Sequence, residues 1–347
     1  MRAGNGAAVR DGSGLDQPLV TISLVTYNGS KWIAGCLGSV QRQTLSSFEF
    51  LVLDNASVDG TVEALRQFST IEPRMQLVES SENLGYAGGH NRNIFKARGE
   101  VVLLLNQDVQ LDDDFLIQAT AALEGKPTIG AIQGRLRRLS DEGQRTDILD
   151  STGLAMHRDR RVVSRFQGER DGVEHAEPGP VWGVDGPAPV YRRRALLEAQ
   201  EPRTPGGWEV LDEDFFMYKE DVDLAWRLRR LGWGAWYAPR AIAWHARGAG
   251  GSPVHSLADI ARSNRTIPRW IKAISWRNQR LMQVKNERPA AFIRDLPWIL
   301  RREVLSLGFM VVVDPLRLRV IPDLVRALPA AARKRRWIER RLRARGI

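Results

Sequence analysis

Short apolar runs rich in β-branched residues alternate with segments of helical period from Val20 to about residue 123. The runs predict strands at 20–27, 48–54, 75–79 and 100–106. The intervening and following segments predict helices at 30–42, 59–69, 88–97 and 112–123. Because each connection is long enough for a right-handed crossover between parallel strands, the pattern predicts an α/β fold with a mainly parallel sheet.

Polar residues follow each predicted strand, and ligands of parallel sheets bind beyond the carboxyl ends of the strands. Asp108 ends the run VVLLLNQD, where its carboxylate can hold Mg²⁺ or Mn²⁺ together with a substrate diphosphate. Asp54 ends the second strand and can accept a hydrogen bond from a nucleobase N–H. The alternatives are that Asn106 and Asp108 form a simple turn, and that Asp59 caps a helix.

The segment NLGYAGGHNRN at residues 83–93 opens a predicted helix. Its glycines permit close backbone approach, and a helix N-terminus attracts phosphate. Arg92 can add a charge-assisted hydrogen bond to a nucleotide, with a solvated side chain as the alternative.

Residues 212–233 predict an amphipathic helix that ends at Gly232. Glu220 and Asp221 lie where the helix dipole favours acids. Their position between the bulky run FFMY and an apolar helix face also suits a carboxylate base that removes a hydroxyl proton. His245 ends a strand-like run, AIAWHA, and is either a ligand or a structural histidine.

The chain divides into regions of different pattern. We predict a flexible N-terminus at 1–17, a nucleotide-binding half at 18–133, an acceptor half at 134–250 and a basic helical region at 251–347. Between residues 134 and 181 the periodicity weakens, which predicts irregular hairpins or a mobile loop that covers a site.

Positive charge is concentrated at the C-terminal end. Residues 288–347 contain 15 of the 51 Lys and Arg residues but 5 of the 41 Asp and Glu residues, so the rest of the chain is neutral. Such a tail implies an anionic partner, namely a phospholipid surface, a phosphorylated lipid or a nucleic acid. Arginines from 333 to 345 surround Trp337, Ile338 and Leu342, an arrangement typical of interfacial helices, with an ordinary solvated helix as the alternative.

Several classes of protein are disfavoured by composition. A chain of 347 residues with 43% hydrophobic and 27% charged residues can bury a sizeable core, so wholesale disorder is excluded. The longest apolar stretch, residues 304–313, is about half of what a membrane-spanning helix needs, and residues 1–17 contain no apolar signal core. The single cysteine, Cys36, allows no internal disulfide. We therefore expect a protein of the reducing cytoplasm.

Taken in order over residues 19–250, six motifs resemble glycosyltransferase family 2, and within it the bacterial rhamnosyltransferase-like branch. These motifs are VTYNG (25–29), LDNASVDGT (53–61), ENLGYAGGHNRN (82–93), LLLNQDV (103–109), FFMYKEDVDLAWRLRRLGW (215–233) and AWHARG (243–248). The resemblance implies a GT-A fold, in which one nucleotide-binding α/β domain transfers a sugar with inversion from a nucleotide-sugar donor, usually with a divalent cation.

The resemblance also implies roles for individual residues. Asp54 corresponds to the acid that contacts the base, and Asp108 to the last acid of the DXD motif, which holds metal and diphosphate. Asp221 corresponds to the catalytic base of the ED motif, with Glu220 beside it, and His245 to a further metal ligand. The other expected donor-binding residues are Thr26, Asn28, Asn55, Asn83, Gly89, Asn91, Arg92, Asn106 and Gln107. Because the DXD position reads NQD, one acid of the motif is missing.

These observations predict an inverting glycosyltransferase of cell-envelope polysaccharide synthesis that uses Mg²⁺ or Mn²⁺. The resemblance favours L-rhamnose from dTDP-rhamnose as the sugar and a lipid-linked saccharide as the acceptor, with a UDP- or GDP-sugar as the alternative donor. The expected location is the inner face of the cell membrane, bound through the basic C-terminal region. Two other classes remain: a protein that binds nucleotide sugar without catalysis, and a nucleic-acid-binding protein, which the neutral body and the acidic strand ends disfavour. The sequence does not indicate an oligomeric state.

Overall fold

A ten-stranded sheet forms the centre of the protein, whose computed structural model describes residues 17–203, 205–247 and 267–346. The elements of its first half are β1 (Val20–Thr26), α1 (Ile33–Gln41), β2 (Phe48–Asp54), α2 (Thr61–Ser69), β3 (Met75–Glu79), α3 (Gly85–Lys96), β4 (Val101–Asn106), β5 (Val109–Leu111) and α4 (Phe115–Ala121). The four strands and four helices expected from the periodicity are confirmed. Strands β1 to β4 are parallel, and their core-facing Val, Ile, Leu and Phe side chains are buried.

The register of this half aligns the strand ends. Thr26 of β1 lies beside Asp54 of β2, and Val25 lies beside Asn106 of β4. The polar residues that follow β1, β2 and β4 therefore meet at one edge of the sheet, as expected for parallel strands.

The second half extends the same sheet with both parallel and antiparallel strand pairs. Its elements are β6 (Ile129–Leu139), β7 (Arg145–Ser151), β8 (Leu154–Met156), β9 (Val162–Ser164), β10 (Gly179–Val181), β11 (Val190–Arg192), α5 (Arg193–Glu198), β12 (Glu201–Pro202), β13 (Trp208–Glu209), α6 (Glu220–Arg230) and β14 (Gly234–His245). The strand order is β10-β14-β6-β11-β4-β1-β2-β3, with β5 paired to β14 and β7 to β6. The weakly periodic region thus forms two hairpins, β6–β7 and β8–β9. Strand β6 crosses the expected boundary at 133/134, because both halves share one sheet.

The helix expected over 212–233 is shorter than its apolar periodicity suggested. It begins at Glu220, and Glu213–Phe215 form a single 3₁₀ turn. Phe216, Tyr218 and Lys219 have φ values of 61°, 66° and 78°, a region that side-chain-bearing residues seldom occupy. These dihedrals are incompatible with a helix, so the chain enters α6 through a strained turn.

The C-terminal region is helical, as expected, over the part that the structure describes. Its helices are α7 (Arg269–Asn286), α8 (Pro289–Val312) and α9 (Ile321–Ala344). None of the described helices is long and apolar enough to cross a membrane. The flexible N-terminus expected at 1–17 lies outside the described residues except for Gln17, and so do residues 248–266.

The expected interfacial face of α9 requires a correction. Ile338 and Leu342 are buried at 2% and 4% exposure in a core that includes Leu224 and Leu228 of α6. The apolar side of α9 therefore packs on the α/β domain and is not free to enter a bilayer, although arginines remain on its outer side.

Two lysines of the basic region are also internal. Lys285 Nζ lies 2.5 Å from Glu201 and Asp212 carboxylate oxygens and 2.8 Å from Asp223. Lys334 Nζ lies 2.5 Å from Asp212. Burial opposes their charge, but these carboxylates outweigh it and raise the pKa of both lysines. The helices α7 and α9 are thus joined to the domain by buried ion pairs.

Candidate active site

A cleft of about 730 Å³ opens at the carboxyl ends of β1 and β4. Residues from β1, β4, the loop before β11, the turn before α6, the end of β14 and helix α7 line it. A wider depression of about 1050 Å³ lies at the amino ends of β1 and β4 and contains none of the expected site residues. Because ligands of such sheets bind at the carboxyl ends, the smaller cleft is the candidate site.

One wall of the cleft contains three of the residues expected to bind the donor. Thr26 Oγ1 donates a 2.7 Å hydrogen bond to Asp54. Asn55 accepts from Leu84 N and donates to Gly85 O, both at 3.2 Å. Asn83 Oδ1 accepts from Gly85 N at 2.9 Å. These bonds fix the loop before α3 against the ends of β1 and β2, and all three side chains line the cleft.

The NQD segment after β4 forms the floor of the cleft. Gln107 accepts a 2.9 Å hydrogen bond from Tyr27 N and donates a 3.0 Å bond to Tyr27 O. This amide pairing needs both a donor and an acceptor, which a carboxylate does not offer. Asn106 and Asp108 also line the cleft, and the turn that they belong to leads into β5 and not directly into α4.

Asp108 and His245 are brought together by strand pairing although 137 positions separate them. Strand β5 pairs antiparallel with the end of β14, which sets His245 beside Val109. Asp108 Oδ2 then lies 3.4 Å from His245 Nε2. On the other side of the ring, Nδ1 lies 2.9 Å from Asp150 Oδ2, and Arg247 Nε donates to Asp150 Oδ1 at 2.5 Å.

This arrangement fits a divalent cation. Ligand bonds of about 2.0–2.2 Å place neighbouring ligands about 3 Å apart, close to the observed separation of Asp108 and His245. Asp150 supplies the carboxylate that commonly orients a metal-binding histidine. Burial opposes the charged ring, but Asp108 and Asp150 outweigh it and raise the pKa of His245 to about 10. The ring therefore has to release a proton before it can bind a cation.

A second group of acids, Glu201, Glu209 and Asp212, is also close enough to surround an ion. Lys285 and Lys334 already contact these carboxylates. None of the three lines the cleft. The group therefore neutralises buried lysines and does not belong to the candidate metal site.

Five residues expected to bind the donor do not line the cleft: Asn28, Asp54, Gly89, Asn91 and Arg92. Asp54 is 1% exposed and accepts from Thr26, Ser57 Oγ and Ser57 N. Asn28 accepts from Val58 N. Both side chains stabilise loops beside the cleft.

The other three have their own structural explanations. A Cβ at Gly89 would lie 2.7 Å from Val25, so this glycine lets α3 pack closely on β1. Asn91 accepts from the N–H groups of Val210 and Leu211 and donates to Leu211 O, all within 2.7–3.0 Å. Arg92 is exposed on the outer side of α3. The expectation that these three residues line the donor site is therefore corrected, because none of them reaches the cleft.

Glu220 and Asp221 face the same cleft from the start of α6. Asp221 Oδ1 accepts a 2.7 Å hydrogen bond from Val222 N. Burial, with help from the carboxylate of Asp185, raises the pKa of Asp221 to about 6. Burial and the adjacent Asp221 raise the pKa of Glu220 to about 8. Near neutral pH one carboxylate of this pair is charged and able to accept a proton, while the other is neutral.

The loop before β11 shapes the space in front of Asp221. Asp185 accepts a 2.5 Å hydrogen bond from Ser164 Oγ, and its backbone N–H donates to Gln133 at 2.7 Å. Tyr86 OH donates to Gly186 O at 3.0 Å. A Cβ at Gly186 would lie 3.5 Å from Asp221 Oδ2. This is an ordinary van der Waals distance, so the loop packs directly against the carboxylate that is expected to act as the base.

Helix α7 supplies residues that sequence reasoning missed. Asn278 is fully buried, and its Nδ2 lies within 3.0 Å of the carbonyl oxygens of Phe215, Met217 and Tyr218. The strained turn before α6 is thus held by a side chain from the C-terminal region. Trp270, Ile271 and Ser275 of the same helix line the cleft, so α7 is one wall of the site.

The missed residues gave little local signal. Asp150, Asp185 and Asn278 each lie in a segment whose pattern is compatible with many structures, and their partners are distant in sequence. Lys219 also lines the cleft, at a positive φ of 78° that the expected helix over 212–233 does not predict. Burial lowers the pKa of its ammonium group.

The candidate cation ligands, Asp108 and His245, and the candidate base, Asp221, lie around one cleft at the carboxyl edge of the sheet, an arrangement that suits group transfer from a nucleotide-activated donor. The family model described as "Glycosyl transferase family 2" matches residues 21–198, about half of the chain. The protein belongs to this family and is a glycosyltransferase. The match ends before Glu220, Asp221 and His245.

Sequence relatives have the same activity class. The chain is 28% identical over 267 residues to the N-acetylglucosaminyl-diphospho-decaprenol L-rhamnosyltransferase of Mycobacterium tuberculosis, an alignment that covers 69% of this chain and 80% of that protein. It is 26% identical over 271 residues to glycosyltransferase AglE of Haloferax volcanii, with coverages of 72% and 88%.

Solved structures share the GT-A fold. The mannosyltransferase PcManGT from Pyrobaculum calidifontis, in complex with GDP-Man and Mn²⁺, is similar with a TM-score of 0.51 and 20% identity, covering 91% of this chain and 76% of that chain. S. aureus TarS 1-349 in complex with UDP-GlcNAc is similar with a TM-score of 0.55 and 16% identity, covering 89% and 81%. The fold is therefore α/β of the GT-A type, followed by C-terminal helices.

Proposed function

We propose that this glycosyltransferase moves L-rhamnose, with inversion, from dTDP-rhamnose to a lipid-linked saccharide in cell-envelope polysaccharide synthesis. The observation that carries the transfer is the placement of Asp108 with His245 and of Glu220 with Asp221 around one cleft. The relative from Mycobacterium tuberculosis, named as an L-rhamnosyltransferase that acts on a decaprenol-linked sugar, supports the donor sugar and the acceptor class. A UDP- or GDP-sugar is the alternative donor.

In the proposed reaction Asp221 accepts the proton of an acceptor hydroxyl while that oxygen attacks the anomeric carbon. The bond from the anomeric carbon to the diphosphate oxygen breaks, and its electron pair leaves with the nucleoside diphosphate. Attack from the face opposite the leaving group inverts the anomeric configuration. Glu220 stays protonated near neutral pH and donates a hydrogen bond near the acceptor.

Asp108 and His245 are the proposed ligands of a divalent cation, Mg²⁺ or Mn²⁺. When bound, such a cation neutralises charge on the leaving diphosphate. Thr26, Asn55, Asn83, Asn106 and Gln107 line the donor side of the cleft and position the nucleotide sugar. A lipid-linked acceptor would bring the enzyme to the cytoplasmic face of the cell membrane, held there through the basic C-terminal region.

Thermal unfolding with dTDP-, UDP- and GDP-sugars, each with and without Mn²⁺ or Mg²⁺, tests the donor. We expect one nucleotide class to raise the Tm, and to raise it further with metal, because ligands that bind only the folded state stabilise it. Asp108→Asn should lose the metal-dependent increment. Asp141→Asn, at an exposed acid outside the cleft, should behave as wild type. If no nucleotide changes the Tm under any metal condition, the proposed donor site is wrong.

The pH profile tests the base. Because Asp221 acts in its charged form and burial raises its pKa to about 6, kcat/KM should rise through about pH 6 and then level off. Asp185→Asn removes one cause of the raised pKa and should move this rise to lower pH. The same shift lowers stability as pH rises from the ordinary Asp value of 3.8 through about 6. A wild-type profile that is flat across this range would contradict the assignment.

A further inference from the structure

Helix α8 presents an apolar face to solvent. From Val304 to Val313 the residues with exposed side chains are all apolar, and Val312 is 81% exposed. We name this the α8 apolar face. It consists of Val304, Leu305, Leu307, Val311, Val312 and Val313. Contiguous exposed apolar surface of this kind marks a site of interaction with another protein or with a membrane.

The opposite side of α8 packs against the rest of the protein. Asp295, Ile299 and Met310 are buried, and they recur at the spacing of one helix face. Ser306 accepts a 2.9 Å hydrogen bond from Trp276 of α7. The α8 apolar face is therefore a second, outward face that packing within the domain does not require.

Charge on the same helix favours an anionic bilayer as the occupant. Arg301 precedes Val304 and Leu305 by three and four positions, so it lies on the same face, and Arg294 lies two turns before it. Both are exposed. Apolar residues at one end of a helix face and arginines at the other suit insertion into the acyl boundary with contact to anionic headgroups.

The α8 apolar face is next to the mouth of the active-site cleft. Asp314, directly after this face, lies 3.4 Å from Arg269 Nε at the start of α7. The next residues of α7, Trp270 and Ile271, line the cleft, and Trp270 is 52% exposed. A tryptophan in such a position suits the boundary between lipid and water.

We propose that the α8 apolar face inserts into one leaflet of an anionic phospholipid membrane. The mouth of the cleft is then oriented toward lipid-linked acceptors in that membrane. The role of the lipid-linked acceptor in this inference rests on the proposed function. The membrane-binding surface itself is argued only from the exposed apolar residues and the arginines of α8. Because α9 has its apolar side buried, α8 supplies the apolar contact and α9 at most adds exposed arginines.

Co-sedimentation of the full chain with phosphatidylcholine vesicles, with and without phosphatidylglycerol, tests the surface. We expect selective binding to the anionic vesicles, and a loss of about tenfold or more in Val304→Glu/Val311→Glu. The matched control is Ile71→Glu/Val173→Glu, which adds the same charges at exposed apolar residues elsewhere (61% and 88% exposed) and should bind as wild type. Circular dichroism checks that each variant is folded.

Three results would overturn the proposal: wild type that does not bind anionic vesicles, an α8 variant that binds as wild type, or a control that loses binding equally. A concentration-dependent dimer that the α8 substitutions abolish, in the absence of vesicle binding, would assign the face to a second copy instead. Nucleotide-induced thermal stabilisation, measured on the same variants without vesicles, reports on the donor site separately. Failure of the donor site and failure of the docking surface are therefore distinguishable.

Discussion

Asp221→Asn should lower the rate of sugar transfer by about 10²–10⁴, the usual contribution of a positioned general base. The amide has nearly the same shape but cannot take up the acceptor proton. Because Asp221 lines the cleft on the side of α6 while Asp108 and His245 lie at the ends of β4 and β14, nucleotide binding should be nearly intact. The measurements are initial transfer rates and nucleotide-induced change in Tm for the same preparation.

Asp141→Asn is the control for this substitution, since it makes the same chemical change at an exposed acid outside the cleft. Its transfer rate should equal that of wild type. Normal turnover by Asp221→Asn would reject Asp221 as the base. Loss of nucleotide binding together with transfer would show instead that this carboxylate supports the donor site.

Lys285→Met should lower the free energy of unfolding by about 3–5 kcal/mol, because removal of one partner from a buried ion pair leaves an uncompensated charge. Lys285 is fully buried and contacts Glu201, Asp212 and Asp223. Methionine has a similar shape and keeps the packing, so the lost ammonium group is the main change. Urea unfolding monitored by circular dichroism measures the effect.

The matched control is Arg326→Met, which breaks an exposed ion pair with Asp323. Such pairs contribute about 0–1 kcal/mol, so this variant should be close to wild type. Equal stability of the two variants would mean that the carboxylates around position 285 take up protons when the lysine is absent, at little cost to folding.

The parallel half of the fold was predictable because the local pattern of apolar residues in each segment determines its strands and helices. Runs of Val, Ile and Leu predict strands whose side chains are buried on both faces of the sheet. Connections between parallel strands bring the residues that follow each strand to a common edge. Asn106 and Asp108 could therefore be predicted to lie at one edge of the sheet with the residues that follow the neighbouring strands. The same reasoning does not tell which polar residue at that edge points into the cleft, and Asp54 and Asn28 are engaged within neighbouring loops.

Residues of the second half of the sheet and of α7 were not predictable in this way. Asp150 reaches His245 only because β6 lies between β7 and β14 in the sheet, a neighbourhood that no local pattern specifies. The turn before α6 is hard to separate from the helix by sequence pattern, because the consecutive apolar residues 215–218 lead directly into the periodic apolar positions of α6. Its positive φ values depend on tertiary contacts, above all those of Asn278 with three carbonyl groups.

The contacts of Asn278 have a consequence for protein engineering. A chimera can join residues 17–247 of this protein to the C-terminal region of another glycosyltransferase. It then replaces α7, which is one wall of the active-site cleft, together with the α8 apolar face. Unless the incoming helix offers an amide donor where Asn278 lies, the carbonyl groups of Phe215, Met217 and Tyr218 lose their shared partner. The unit that can be recombined between such enzymes therefore extends from the first strand through α7.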